Sequence, residues 1–439
     1  MPPARRRLVY AGLFVVMFIN YLDRMNLSVA AKDIAMAYGL SPVEMGYVFS
    51  AFLWTYLVLL IPAGVAADRF GGRTITYASL GLWSLAGICT GLATSYTAMF
   101  ASRLVLGAGE AASYPAGGRI AREWAPHGER GLAMALLNSG AHAGLCVGAI
   151  LVGWLVVAFG WRGSFFVTGG LGITLAIAWY ALYQPPEKAR WLSPEERSHI
   201  LAHRGAGGGE GPAEAVSQGA ALAGLLRSPS MWALALTQGC AGYTLYLFMT
   251  WLPNYLASAR GMDVLKSGLF TAVPYGVSAL LGIAFGALSD RMLRRPGTKP
   301  ADRRKLIAGL LLTSSVILVA PLVDSVWLIL ALISLSLACV GTAMAMTIAL
   351  TTDLLADGRH AGVAVSLLIM GGNIFGLAAP IVTGYVVAGT GGFSGAFVIA
   401  GVLLVAGAII VVCGATRAIE AGPPPPAGIA SAPLPVRQS

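Results

Sequence analysis

Charge is what this sequence has least of. Only 11% of its 439 residues are Asp, Glu, Lys or Arg, against about 25% in an ordinary soluble domain. Intrinsic disorder is excluded, because disordered chains are polar and charge-rich. Cysteine is sparse too. Cys89, Cys146, Cys240, Cys339 and Cys413 all fall in apolar stretches, without paired spacing or neighbouring histidines. A disulfide framework or a metal site is therefore not expected. Acidic residues number 19 against 29 basic ones, for a net charge of +10. The positive charge lies in short segments between apolar runs, which indicates orientation in a bilayer rather than nucleic-acid binding. No Gly-rich phosphate loop, HExxH, paired CxxC or G-x-S-x-G element occurs, so neither enzyme chemistry nor ATP use is expected.

What fills the chain instead is apolar, 57% of it. Runs of about 20 apolar residues, long enough to cross a bilayer, recur along the whole length. We place twelve spans near 9–30, 43–67, 74–93, 97–118, 131–158, 164–183, 230–258, 265–289, 305–323, 326–352, 361–388 and 391–414. Strands are excluded, because the runs are too long and lack period-two alternation. The expected fold is an all-α membrane protein of twelve transmembrane helices in two pseudo-symmetric six-helix bundles. Arg5, Arg6 and Arg7 before the first run, with Ser28-Val29-Ala30 after it, imitate a signal peptide. Asp23 and Arg24 argue against that, since a signal core carries no charges.

Residues 184–229 are the one long interruption. Ser193-Pro194-Glu195-Glu196 fits a capping box with proline at the first helical position, so a short surface helix should run to about His203. Gly205 to Gly211 reads as a flexible linker. The expected organisation is a first six-helix bundle over 1–183, a cytoplasmic linker over 184–229, a second bundle over 230–416 and a disordered tail over 417–439. With both termini inside, 23 of the 29 Lys and Arg fall in cytoplasmic segments and four outside. That bias fixes the orientation.

A repeat supports two related halves. Gly64-Val-Ala-Ala-Asp68-Arg69 ends the second span, and Gly286-Ala-Leu-Ser-Asp290-Arg291 ends the eighth. The same spacing at equivalent places suggests a conformational clamp on the cytoplasmic side. The glycine would permit close helix approach, and the Asp-Arg pair would hold neighbouring helix ends. Gly64-x-x-x-Asp68-Arg69-x-Gly71-Gly72-Arg73 resembles the loop signature of the major facilitator superfamily, and the resemblance covers nearly the whole chain. Asn20-Tyr21-Leu22-Asp23-Arg24, Arg103-Leu-Val-Leu-Gly107-Ala-Gly109-Glu110, Gly160-Trp161-Arg162 and Trp191-Leu-Ser-Pro-Glu-Glu196 resemble its anion:cation symporter family. That family includes bacterial importers of galactonate, glucarate, hexuronates, tartrate and phthalate, and animal sialin and vesicular glutamate transporters.

Asp23, Arg24, Arg103 and Glu110 are the only charges deep inside spans. Each costs at least about 2.5–3.5 kcal/mol at a helix centre, so retaining four implies mutual pairing around a wet cavity. Arg103 and Glu110 are seven apart and share a face of span four. Asn20, Asp23 and Arg24 sit at i, i+3 and i+4, and Tyr21, Arg24 and Ser28 form an overlapping stripe. Arg24 is always charged and presents a planar fork suited to a carboxylate, so it is assigned to the substrate anion. Asp23 and Glu110 can exchange protons in a low-dielectric pocket and are assigned to coupling. Arg103 would stabilise whichever acid is ionised. The resemblance implies the same four assignments.

Among neutral residues, Tyr56 is mid-span and Tyr21 neighbours Arg24. His142 suits either an interhelical hydrogen bond or a substrate contact. In the second half, with no deep charges, the candidates are Tyr243, Tyr246, Thr351, Thr352 and Asn373. The resemblance favours Tyr56, Thr352 and Asn373 as ligand contacts. The function these residues suggest is a proton-coupled symporter importing a small organic anion by alternating access. It would be a monomer in a bacterial inner membrane, with no cofactor, no metal and no nucleic-acid partner. Sugar acids lead as substrate, with phthalate-like or dicarboxylate anions second. A proton-driven drug or cation exporter is the competing class, and the fixed positive charge of Arg24 opposes it. A membrane receptor on a transporter scaffold is a third class, but no extended signalling domain is visible.

Overall fold

The computed structural model describes residues 5–204, 222–293, 300–357 and 360–420. The glycine linker, residues 421–439 of the tail and the Asp290 side chain lie outside the described residues. Helices run over α1 Arg7–Val29, α2 Ala31–Tyr38, α3 Pro42–Leu92, α4 Tyr96–Glu110, α5 Ser113–Trp124, α6 Arg130–Leu182 and α7 Pro194–His203. They continue with α8 Pro229–Ala259, α9 Val264–Leu293, α10 Pro300–Ser314, α11 Val326–Leu354, α12 Ala361–Thr390 and α13 Ser394–Gly414.

These helices supply the twelve spans. Among the described residues, eight helical stretches are long and apolar enough to cross a membrane. Helices α3 and α6 have 51 and 53 residues, where one crossing takes about 20, so each is two spans. Gly71 (φ 80°) and Gly160 (φ 71°) turn the chain between them. A Cβ at either glycine would meet nothing within 4 Å. The left-handed backbone, not crowding, requires glycine there. Span four is α4 plus α5, interrupted right after Glu110. Span seven is α8, most of which is buried, so Thr237, Gln238, Thr244 and Thr250 meet protein rather than lipid. Its polarity follows from that position. Span nine is α10 continued by a 3-10 stretch, Ser315–Leu322, that contains Pro321.

The first half packs α1 on α6 and α3 on α4 and α6; the second packs α8 on α12 and α13. The halves meet through α3 with α12, α6 with α9, and α1 with α8. A Cβ on Gly46 would lie 2.6 Å from the Pro380 carbonyl oxygen, and one on Gly384 2.5 Å from that of Pro42. Gly268 is equally close to Ala149, and the Ser28 hydroxyl donates to the Thr250 carbonyl at 2.7 Å. These contacts all lie away from the face where α1 begins and α13 ends, called here the terminal face. Toward that face the halves part, and Asn138 and His142 on α6 are exposed.

The loop signature is built on the terminal face. Asp68 accepts ion pairs from Arg119 (3.5 Å) and Arg122 (3.6 Å) at the end of span four. Arg73 donates to the Tyr180 carbonyl at 2.8 Å and lies over its ring. Arg69 and Arg291 are exposed. Gly64 and Gly286, expected at close helix approaches, have no atom within 4 Å of a Cβ position. Among the described residues no neighbour approaches either position, so the close approach is not made in this conformation. Asp353 pairs with Arg303 at 3.0 Å.

Helix α7 forms where expected, but only half of its capping box does. The Ser193 hydroxyl accepts from the Glu196 N–H at 3.2 Å. The Glu196 carboxylate turns away to the N–H groups of Arg5 and Arg6 at the start of α1 and to the Arg6 guanidinium at 3.0 Å. Trp191 stacks on Trp124 with centroids 5.2 Å apart. The linker helix is thereby fixed to the first half.

Candidate functional site

Span one sets the site because it carries two polar faces. Residues advance about 100° each around a helix, so Asp23 and Arg24 point in different directions. Tyr21, Arg24 and Ser28 face the second half. Asn20, Asp23 and Asn26 face the interior of the first half. Asn26 donates to the Thr168 hydroxyl at 2.9 Å and accepts from the Ser164 hydroxyl at 2.7 Å, which pins span one to span six.

Arg24 meets Glu110 at the boundary of these faces. Its Nη2 and Nε lie 2.7 and 2.8 Å from Glu110 Oε2. The guanidinium sits over Tyr21 (4.7 Å), Phe52 (4.9 Å) and Tyr56 (5.7 Å). Glu110 is fully buried and Arg24 is 9% exposed. The sequence reading gave Arg24 to the substrate and paired the acids with Arg103. In this conformation Glu110 takes Arg24. Seven-residue spacing puts Arg103 and Glu110 on one face of span four, but about 10.5 Å apart along the axis. The guanidinium from the facing helix is nearer.

Behind this pair lies a polar interior. Arg103 is 1% exposed; among the described residues its Nε and Nη1 have no hydrogen-bond partner. The same holds for both amide atoms of Asn20, for Asp23 Oδ2 and for Glu110 Oε1. The Asp23 carboxyl interacts with Glu110, Thr168, Arg103 and Trp83. The four intramembrane charges therefore form one group, with Arg24 at its rim and Arg103 and Asp23 inside.

The second half contributes neutral groups. The Tyr246 hydroxyl donates to Asn373 Oδ1 at 3.1 Å. The Tyr246 ring lies 6.4 Å from that of Phe52 and interacts with Arg24. Tyr21, Arg24, Tyr56, Tyr246 and Asn373 are thus brought to one place between the halves. Thr352 is not. It is exposed in the last turn of α11, two residues from its end, and bonds back to the Ala349 carbonyl. Thr351 likewise bonds to its own helix at Thr347, and Tyr243 is buried. His142 makes no interhelical bond among the described residues. Its ring nitrogen pairs with the Asn138 carbonyl one turn back, and the ring is exposed.

Sequence reasoning missed Phe52, Tyr114 and Asn138. Tyr114 bridges Tyr21 (3.5 Å) and Asn138 (3.4 Å). It stands four residues after Glu110, on the same helical face, and that spacing was the available signal. Among the described residues, no cluster of three His, Cys, Asp or Glu is placed to hold a metal.

The chain matches the family described as Major Facilitator Superfamily over residues 13–301. It is 33% identical over 424 residues to a probable galactarate/D-glucarate transporter of Escherichia coli K12, covering 94% of each chain. It is 32% identical to a D-galactonate transporter of Escherichia coli O6:H1, covering 89% of this chain and 91% of the relative. The fold superposes with a TM-score of 0.77 on a bacterial homologue of the human lysosomal transporter Spinster. That structure is inward-facing and unoccupied, 19% identical, and matches over 94% of this chain and 98% of its own. Twelve spans, the loop signature and these matches lead to one conclusion: this chain is a multi-pass membrane protein of the major facilitator superfamily.

Proposed function

We propose that the chain is a proton-coupled importer of a small sugar acid, such as an aldonate, aldarate or uronate. It works by alternating access in a bacterial cytoplasmic membrane. The excess of Lys and Arg on the terminal face supports placing that face in the cytoplasm. The parted halves then leave the site open inward. Relatives named for galactarate, glucarate and galactonate support the substrate class.

The observation that carries the reading is the Arg24–Glu110 pair. A substrate carboxylate and the Glu110 carboxylate compete for one guanidinium. While Glu110 is ionised, Arg24 is satisfied and an incoming anion gains little. Once Glu110 takes a proton, Arg24 is an uncompensated buried charge, which is costly unless an anion pairs with it. Proton and anion therefore load together. The proton cancels the charge that the anion brings, so the loaded set crosses the low-dielectric barrier with less net charge than the anion bound beside an ionised Glu110 would have. After the halves rock, the anion leaves, Glu110 releases its proton and the pair re-forms. Asp23 beside Arg103 takes the second exchangeable position. Tyr246, Asn373 and Tyr56 offer donors and acceptors to substrate hydroxyls.

A second reading within the same mechanism rests on the rings of Tyr21, Phe52, Tyr56 and Tyr246 near Arg24. They also suit an aromatic dicarboxylate such as phthalate. The test is uptake into proteoliposomes under an imposed inward proton gradient, across a panel of sugar acids, phthalate and tartrate. Concentrative uptake of a sugar acid supports the first reading and of phthalate the second. Cation export would contradict both. Asp23→Asn should abolish concentration against a gradient.

A further inference from the structure

We infer that an external carboxylate docks at Lys32, in a cavity on the far side of the seal from Arg24, before the halves rock to admit it. The inference rests on the anion-import reading above, which makes the side away from the terminal face the outside. The cavity has a volume of about 300 Å³, within the range of small-molecule sites. Both halves wall it. Lys32 on α2 and Met45 on α3 come from the first half; Trp251, Asn254 and Ser258 on α8, and Phe393 before α13, come from the second. The wall is mostly apolar with a few polar groups, the usual make-up of a ligand site.

Those polar groups suit an anion. No acidic side chain lines the cavity. Lys32 is half-buried and acts on Asp33 beside it in the chain, but among the described residues it makes no ion pair or hydrogen bond. The other three basic residues on this side are committed. Arg162 donates to the Tyr38 hydroxyl and the Ala93 carbonyl. Arg260 donates to the Tyr255 hydroxyl and the carbonyls of Val323 and Asp324. Lys266 pairs with Asp263 at 3.4 Å. Asn254 Oδ1 accepts from the Ser258 hydroxyl at 3.0 Å, while the Asn254 amide N–H groups have no acceptor among the described residues. Ammonium and amide both donate, and an ionised carboxylate only accepts.

The cavity stands on the route to Arg24, because its floor is the seal. Met45 adjoins Gly46, and Pro42, another wall, supplies the carbonyl that meets Gly384. Trp251 Nε1 donates to the Pro380 carbonyl at 3.1 Å, and its ring lies 5.1 Å from that of Phe49. Phe49 is one turn from Phe52, whose ring meets the Arg24 guanidinium. A lone fixed positive charge between low-dielectric walls concentrates anions at the closed gate. The anion is then in place when the contacts of Pro42 and Pro380 part.

The test reads occupancy of the cavity directly. Ala259, exposed in its wall, is replaced by cysteine (Ala259→Cys) and labelled with an impermeant thiol reagent in right-side-out membrane vesicles. Labelling beyond that of the parent protein reports the cavity. External galactarate should slow it, and galactitol, the uncharged polyol of the same length, should not. Added Lys32→Gln should raise the galactarate concentration for half-protection about tenfold, the loss of one charge-assisted bond. Added Arg24→Ala should leave protection unchanged, because docking precedes the inner site. An unliganded labelling rate equal to that of Ala259→Cys alone shows that each variant keeps the cavity. Absence of labelling, protection by galactitol, protection untouched by Lys32→Gln, or protection lost in Arg24→Ala would each overturn the docking site. Failure of the wild-type protein to take up any carboxylate in proteoliposomes would instead overturn the import reading, whatever the labelling shows.

Discussion

At the scale of single residues, the account turns on one guanidinium with two claimants. Arg24→Ala removes the charge-assisted bonds that hold the anion, each worth about 1.5–3 kcal/mol. Affinity should fall roughly 10- to 150-fold, read by titration of the purified protein with its transported anion. Arg24→Lys should recover only part of it, because a lysine lacks the planar fork that spans Glu110 Oε2 through both Nη2 and Nε. The membership of this group was legible in the sequence, because four charges inside apolar spans have no cheap alternative. Its pairing was not. Spacing along span four linked Arg103 to Glu110, but the partner was decided by the depth at which span one crosses span four. Thr352 stands where the sequence ends the tenth span, at 352, and the structure leaves it exposed there, two residues before α11 ends at Leu354.

At the scale of elements, spans were read wherever lipid contact keeps them apolar, and turns wherever glycine marks them. The two spans outside those eight long apolar stretches are α8, which is mostly buried by its neighbours, and span four, which breaks after Glu110 into helices of 15 and 12 residues; both facts appear only once the chain is packed. The linker helix was readable as a helix but not as a fastening. Arg6 ties Glu196 to Glu129, the latter in the turn just ahead of the fifth span at 2.6 Å. The hydrogen bonds from Arg6 hold the Glu129 carboxyl below its usual range. A depressed carboxylate adds stability above its unfolded pKa, lost as pH falls through the folded value. Glu129→Gln should therefore lower stability by about 1 kcal/mol at pH 7. The difference should vanish in acid, below the usual carboxylate range, as followed by thermal unfolding in detergent across pH.

At the scale of the whole molecule, two bundles touch through glycines away from the terminal face and part toward it. That seal rests on backbone contact, so it tolerates no side chain. Gly46→Val would drive a methyl into the Pro380 carbonyl, 2.6 Å from a Cβ, with no flexible group to give way. The variant should favour the outward-open state. A cysteine placed at Thr250, buried against Ser28 here, should then become reactive to an external thiol reagent, as it is not in the parent. Unchanged labelling would contradict the seal.

The coupling itself is tested most directly by anion affinity against pH, in the wild-type protein and in Glu110→Gln. Competition for Arg24 predicts that affinity weakens about tenfold per pH unit once Glu110 ionises, and that the glutamine variant binds with no such slope. An equal slope in both proteins would contradict the account.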